Sequence, residues 1–155
     1  METILLLWTA APALKTQIVV LTILAQIVLT VWCYGKLSSK RVSAAKSGKV
    51  TPDMYKAVGD AEPEEIRVYT RLVANQFEMP VLFYVLLMTG LAINVTSWFT
   101  VVLAILYVVL RVVHAREMTG THNVFRRRKI FIQSARVLLL LILELAVSTV
   151  FFFQV

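Results

Sequence analysis

The sequence is poor in the residues on which disulfide-linked, metal-binding and ordinary soluble proteins depend. Its 155 residues include one cysteine and two histidines, and only 16% of them are charged. A single cysteine excludes an intrachain disulfide, and structural zinc sites need about four ligands, usually with paired cysteines, so we expect no metal. Soluble domains are about one-quarter charged. The shortage of charge therefore argues against a soluble domain.

Hydrophobic residues make up 59% of the chain, and they occur in long runs. A helix needs about 20 mostly apolar residues to cross the hydrocarbon core of a bilayer. The runs predict four such helices, at about residues 14–34, 63–93, 97–117 and 127–153, with a polar loop at 36–62. We therefore expect an all-α integral membrane protein, in which residues 1–155 form a single four-transmembrane-helix bundle. No broken helix and no inverted repeat is evident, which disfavours a small transporter subunit.

Positive charge is concentrated in two of the predicted loops. The net charge is +7, which in a soluble protein would suggest nucleic acid, but membrane proteins gather lysine and arginine in their cytoplasmic loops. The loop at 36–62 and the loop between the third and fourth helices are both basic, whereas both termini have few basic residues. We therefore expect non-cytoplasmic termini and no nucleic-acid partner. This charge rule fits a bacterial inner membrane, which we expect, and equally the endoplasmic reticulum of a eukaryote.

The second predicted helix has a stripe of polar residues on one face. Spacings of four, four and three residues separate Arg67, Arg71, Asn75 and Glu78. At about 100° per residue they share an arc of roughly 80°. A charged side chain near the centre of a span costs about 2.5–3.5 kcal/mol, so the stripe must face protein or water. Either internal ion pairs lock helices together, or the face lines a polar cavity for a charged ligand, which we favour.

Further cations lie near the same membrane side. Arg111 and His114 are close to the end of the third predicted helix, and Arg126, Arg127 and Arg128 begin the fourth. Cations oppose the helix dipole at an N-terminus, so an anionic ligand would stabilise them there. Anchoring at lipid head groups is the alternative for the arginine triplet.

The remaining polar residues around the fourth helix suggest structural roles. Arg136 and Glu144 lie about two turns apart, with Gln133 on a nearby face, and we expect them to hold helices together. Asn123 precedes the helix and is a residue type that caps helix N-termini. His122, beside it, is a further candidate ligand.

Two of these patterns resemble the MAPEG family, the membrane-associated proteins in eicosanoid and glutathione metabolism, of which the chain looks like a divergent member. The first is R-V-Y-x-R-x-x-x-N-x-x-E followed by a proline, present at residues 67–78 with Pro80. The second is an arginine, an aromatic residue four positions on and then S-A-R, present at Arg127, Phe131 and residues 134–136. With four predicted spans and basic loops, the resemblance covers nearly the whole chain.

The resemblance implies a homotrimer that binds glutathione between subunits near the cytoplasmic side. It makes Arg127 the catalytic residue that stabilises the glutathione thiolate, as a neighbouring cation does for a thiol. It also implies a lipophilic small molecule that arrives from the bilayer and is attacked by the sulfur. The expected glutathione ligands are Arg67, Arg71, Asn75 and Glu78, with Arg111, His114 and His122 as possible additions.

The implied function is that of a glutathione-dependent transferase or peroxidase acting on lipophilic electrophiles. The alternative is a non-catalytic MAPEG-like membrane protein whose polar stripe serves helix association, subunit association or lipid head-group binding. The chain departs from eicosanoid-type members at Arg116 and Gly120, where these have tyrosines, and at Met79, where the family has an aromatic residue. These departures weigh against a leukotriene-synthase type of activity.

Overall fold

The computed structural model describes residues 2–55, 62–120 and 123–152, with most side chains described from residue 12 onwards. These residues form five α-helices and one short 3₁₀ helix, and no strand occurs among them. The helices are α1 (Glu2–Lys46), α2 (Glu64–Ala74), α3 (Met79–Ala92), α4 (Trp98–Thr119) and α5 (Val124–Phe152), and the 3₁₀ helix is Pro52–Tyr55.

Four helical segments are long and apolar enough to cross a membrane: Pro12–Lys46, Glu64–Ala92, Trp98–Thr119 and Val124–Phe151. The second segment comprises α2 and α3 together. Large apolar side chains such as Leu21, Val28 and Val31 are exposed on the outside of the bundle, as lipid-facing residues are. The protein is therefore an integral, multi-pass membrane helical bundle, and the predicted fold class is confirmed.

The first helix is longer than the sequence indicates. The prediction ends it at Tyr34, where the apolar run gives way to Gly35 and a polar segment, but α1 continues to Lys46. Leu37 and Ala44, beyond the glycine, are buried in an apolar cluster with side chains of α2 and α4. Glycine within a helix costs only about 1 kcal/mol, which this burial outweighs. The polar loop consequently begins after Lys46 rather than at residue 36.

Gly48 terminates α1. It has a φ of +69°, a left-handed conformation that glycine adopts without steric cost. The backbone N–H of Gly48 donates to the carbonyl of Ala45 at 3.1 Å, and that of Lys49 donates to the carbonyl of Ala44 at 2.9 Å. This pair of bonds is a Schellman motif, which satisfies carbonyls that the helix end would leave without partners.

The second span is broken at residues 75–78, where the sequence predicts a continuous helix at 63–93. Pro80 lies in the first turn of α3, and Glu78 occupies the N-cap position. In an uninterrupted helix the Pro80 ring would clash with the carbonyl of Gln76, and its missing N–H would leave that carbonyl unbonded. The expectation of no broken helix is therefore wrong, and the cause is the proline that belongs to the family-like motif.

The buried apolar side chains of the described residues form two clusters, and α4 contributes to both. One cluster includes Phe83 and Tyr107, whose rings stack with centroids 4.5 Å apart, together with side chains of α5. The other lies nearer the polar loops and includes Cys33, Leu72 and Met118. Since α4 packs against α1, α2 and α5, it contacts each of the other three spans.

Glu144 joins α5 to the beginning of α4, as the sequence predicts. Its carboxylate accepts hydrogen bonds from the hydroxyls of Ser97, at 2.7 Å, and Ser148, at 3.1 Å. Arg136 and Gln133 do not share this role: both are exposed on the outer surface and form no side-chain hydrogen bond in the described part of the chain. Within one chain they therefore do not join helices, because the face of α5 that carries them points outwards; a role between subunits stays a prediction.

Candidate functional site

A cavity of about 320 Å³ lies where the helix break meets α4 and α5. Among the described residues, nine border it: Arg71, Ala74, Asn75, Glu78, His114, Met118, Arg127, Arg128 and Phe131. The structure thus brings together five of the eight residues expected to bind or activate glutathione, although they come from three separate spans: Arg71, Asn75, Glu78, His114 and Arg127.

Helical periodicity explains how so many side chains reach one cavity. Residues four apart lie on the same helix face, one turn above the other. Each span contributes such a pair to the lining: Arg71 and Asn75 from the second, His114 and Met118 from the third, Arg127 and Phe131 from the fourth. Glu78 follows from the N-cap of α3, so the break does not remove it from the cavity.

The charged side chains that border this cavity have no hydrogen-bond or ion-pair partner among the described residues. In the described ranges, the side chains of Arg71, Glu78, Arg127 and Arg128 form no hydrogen bond or ion pair, although charged residues elsewhere do, such as Arg41 with Glu62 at 2.8 Å. A guanidinium group has five N–H donors. Three such groups facing one carboxylate give the cavity an excess of positive charge and many unused donors.

The three consecutive arginines at the start of α5 have different surroundings. Arg126 pairs with the carboxylate of Glu117 at 3.1 Å, and its backbone N–H donates to the side-chain oxygen of Asn123 at 3.0 Å. The expected cap by Asn123 is thereby confirmed. Arg127 and Arg128 border the cavity instead.

Asn75 forms hydrogen bonds to α4 through both its side chain and its backbone. Its amide nitrogen donates to the sulfur of Met118 at 3.7 Å, and its backbone oxygen accepts from Nη2 of Arg111 at 2.7 Å. Arg111 itself is completely buried and lies behind the cavity wall rather than in the lining. His114 is in the lining, with its ring centroid 5.9 Å from that of Phe131.

Of the candidates that the structure describes, Arg67 and Arg111 are not part of the lining. Arg67 lies one turn before Arg71 on α2 and does not border the cavity. His122 falls outside the described residues. Arg71 and Arg127 also border a wider opening of about 610 Å³, which Lys40 and Tyr69 help to form. These two arginines therefore lie between the cavity and an opening beside the polar end of α1.

Sequence reasoning missed Met118 and Ala74 as lining residues, and it named Arg128 only as one of a cluster of cations. Met118 follows His114 by four residues, so its place was available from helical spacing once His114 was a candidate. The part played by each arginine of the triplet depends on where α5 begins, which hydropathy does not determine. Within the described residues, no group of three or more His, Cys, Asp or Glu side chains is arranged to hold a metal ion.

Comparison with known protein families gives one finding. The model of the MAPEG family matches residues 5–147, a range that contains every described residue of the cavity lining. Comparisons with curated proteins and with solved structures give no significant match.

Proposed function

The chain belongs to the MAPEG family, and on that premise we propose that it is a membrane-bound glutathione-dependent transferase or peroxidase acting on lipophilic electrophiles. The family is one of membrane proteins of glutathione and eicosanoid metabolism. The single observation that most supports this activity is the cavity at the helix break, where three guanidinium groups and one carboxylate lie together without partners among the described residues.

The charges of the cavity complement those of glutathione. This tripeptide carries two carboxylates and one ammonium group at neutral pH, besides its thiol. Arginine binds carboxylates through two parallel N–H donors, so Arg71 and Arg128 suit the carboxylates, whereas Glu78 suits the ammonium group. Asn75 supplies an amide beside them. A volume of about 320 Å³ lies within the range of about 300–1,000 Å³ common for small-molecule sites.

Arg127 is the proposed catalytic residue. A cation beside a thiol favours the thiolate, which is the reactive nucleophile. Arginine suits this role because it keeps its own proton at neutral pH. The thiolate sulfur then donates its electron pair to an electrophilic carbon of the second substrate, forming a carbon–sulfur bond while the leaving group or opened ring takes the negative charge. Phe131 and Met118 give the same cavity an apolar wall for that substrate.

The proposal includes a homotrimer and lateral entry of the lipophile from the bilayer. Arg136 supports an assembly, because it is exposed on a membrane-spanning helix and an uncompensated charge near the centre of a span costs about 2.5–3.5 kcal/mol. A neighbouring subunit would satisfy it. A bacterial inner membrane and non-cytoplasmic termini remain part of the proposal, since they rest on the distribution of basic residues.

The alternative function is a non-catalytic protein whose polar stripe serves helix association, subunit association or lipid head-group binding. Helix association within the chain requires the charges to be satisfied by internal pairs. In the described part of the chain, Arg71 and Glu78 do not pair with each other or with another side chain. This observation favours a bound ligand over internal pairing.

The test is to titrate the purified protein with glutathione and follow the ultraviolet absorbance of the thiolate, with calorimetry as an independent measure of binding. We expect a saturable thiolate signal that Arg127→Ala abolishes while binding persists. Lys129→Ala is the matched control: it removes an exposed cation from the same turn of α5 that does not border the cavity, so it keeps the signal. Absence of saturable binding to the unaltered protein would refute the proposed function.

A further inference from the structure

We propose that Arg111 is a positioning residue, whose guanidinium on α4 holds the break between α2 and α3 and thereby sets where Asn75 and Glu78 lie in the cavity. The ligand in this inference rests on the proposed function, whereas the positioning itself rests on the geometry alone. Arg111 does not border the cavity, so its action passes through the polypeptide backbone.

The burial of Arg111 calls for a specific role. Its side chain is 0% exposed, and it is the largest of the fully buried side chains in the described structure. Its Nε and Nη1 have no hydrogen-bond partner in the described structure. An apolar residue would fill the same space between membrane helices without the cost of desolvating a charge. The hydrogen bond that Arg111 does form, 2.7 Å from Nη2 to the backbone oxygen of Asn75, is therefore the contact that accounts for it.

The carbonyl that Arg111 binds lies at the C-terminus of α2, where a hydrogen-bond donor and a positive charge are stabilising. Asn75 is the C-cap residue of α2. The last carbonyls of a helix lack backbone donors and carry a partial negative charge from the helix dipole. Pro80 forces α2 to end at this place, and the guanidinium supplies both a donor and a positive charge there.

A second contact holds the break from the opposite side. Gln76, next to Asn75, is 1% exposed, and its side-chain oxygen accepts from Nε2 of Gln26 on α1 at 3.0 Å. Its own Nε2 donates to the carbonyl of Leu72 at 3.3 Å. With Gln76 fixed towards α1 and the Asn75 carbonyl fixed towards α4, the segment at 75–78 presents the side chains of Asn75 and Glu78 to the cavity.

Two variants test whether Arg111 positions the break. Arg111→Met has an unbranched side chain but no charge and no hydrogen-bond donor, whereas Arg111→Lys keeps a positive charge and a donor. With Arg111→Met we expect glutathione to bind about tenfold or more weakly, as when a bond to a charged group is lost. The pH midpoint of the bound thiol should stay unchanged, because Arg127 is intact. Arg111→Lys should recover most of the affinity.

A double-mutant cycle with Asn75→Ala makes the test sharper. If Arg111 acts through Asn75, the two losses in affinity should fall well short of adding. Additive losses, a wild-type affinity in Arg111→Met, or a changed thiol midpoint would each overturn the inference, the last because it would mean that Arg111 acts on the ligand directly.

Hydrogen–deuterium exchange gives a readout that needs no ligand. In Arg111→Met, amides at 75–82 should exchange about tenfold or more faster, while those at 101–108 of α4 keep the wild-type rate. If that variant is not recovered folded, Arg111→Lys takes its place, with a smaller increase expected in the same segment. Wild-type exchange at 75–82 would overturn the inference. If the unaltered protein does not bind glutathione, the proposed function fails and the exchange result alone decides the role of Arg111.

Discussion

Arg67 and Arg71 allow a test of whether glutathione binds in the cavity or along the whole polar stripe of the second span. They lie one turn apart on α2 and carry the same charge, but Arg71 borders the cavity and Arg67 does not. We expect Arg71→Ala to weaken glutathione binding strongly and Arg67→Ala to change it little. Sequence spacing alone predicts similar losses for both.

The size of the effect follows from the surroundings of Arg71. A hydrogen bond to a charged group contributes about 1.5–3 kcal/mol, and Arg71 is exposed in the single chain, so screening by solvent places it near the lower end. About 1.5–2 kcal/mol corresponds to a loss of roughly 10- to 30-fold, because 1.4 kcal/mol is tenfold. For Arg67, outside the cavity, a charge effect of about 0.5 kcal/mol or less is a change of no more than about threefold.

Isothermal titration calorimetry on both variants, in the same detergent and at the same salt concentration, measures these affinities. Circular dichroism of each variant checks that helix content is unchanged. Equal losses for Arg67→Ala and Arg71→Ala would refute the assignment of the cavity as the binding site, since the ligand would then contact the whole stripe. An unchanged affinity in Arg71→Ala would refute it as well.

Two further predictions concern stability, measured by denaturant unfolding of the protein in bicelles. Arg41→Met should destabilise the protein by about 1–3 kcal/mol, because the buried carboxylate of Glu62 then loses an ion pair of 2.8 Å and retains, among the described residues, the hydroxyl of Thr70; the neighbouring Lys40→Met is the control, and equal losses would contradict the role of the pair. Ser97→Ala should cost about 1–2 kcal/mol, because it removes both the N-cap of α4 and the 2.7 Å bond to Glu144. Ser148→Ala, which loses only the 3.1 Å bond to the same carboxylate, should cost less, and the reverse order would be inconsistent with a capping role for Ser97.

Local sequence signals predicted the spans and much of the cavity, because both depend on periodicity within one helix. Long apolar runs identify membrane helices, and four-residue spacing placed Arg71 and Asn75 on one face before any packing was known. Arg127 and His114 required the additional assumption that their helices lie beside that face, and the structure brings them to the same cavity.

The features that sequence reasoning missed depend on contacts between helices. The end of the apolar run at Tyr34 predicts the end of the first helix, but burial of Leu37 against other spans extends it. Arg67 shares the face of Arg71 on an ideal helix, yet the cavity is closed by α4 and α5 only at the level of Arg71. Pro80 was noticed as part of a motif rather than as a helix breaker, although its clash with the preceding turn is a local effect that could have been predicted.

The length of α1 has a consequence for how the protein can be studied. At 1.5 Å per residue, its 45 residues extend about 68 Å, more than twice the hydrocarbon thickness of about 30 Å. Part of this helix must therefore extend beyond the hydrocarbon core into water. Its polar end, near Lys40 and Ser47, is the part that we expect to do so. A fluorophore attached at Ser47 would be reachable by water-soluble quenchers while rigidly joined to the wall of the opening that Lys40 borders, so it would report ligand arrival from outside the lipid.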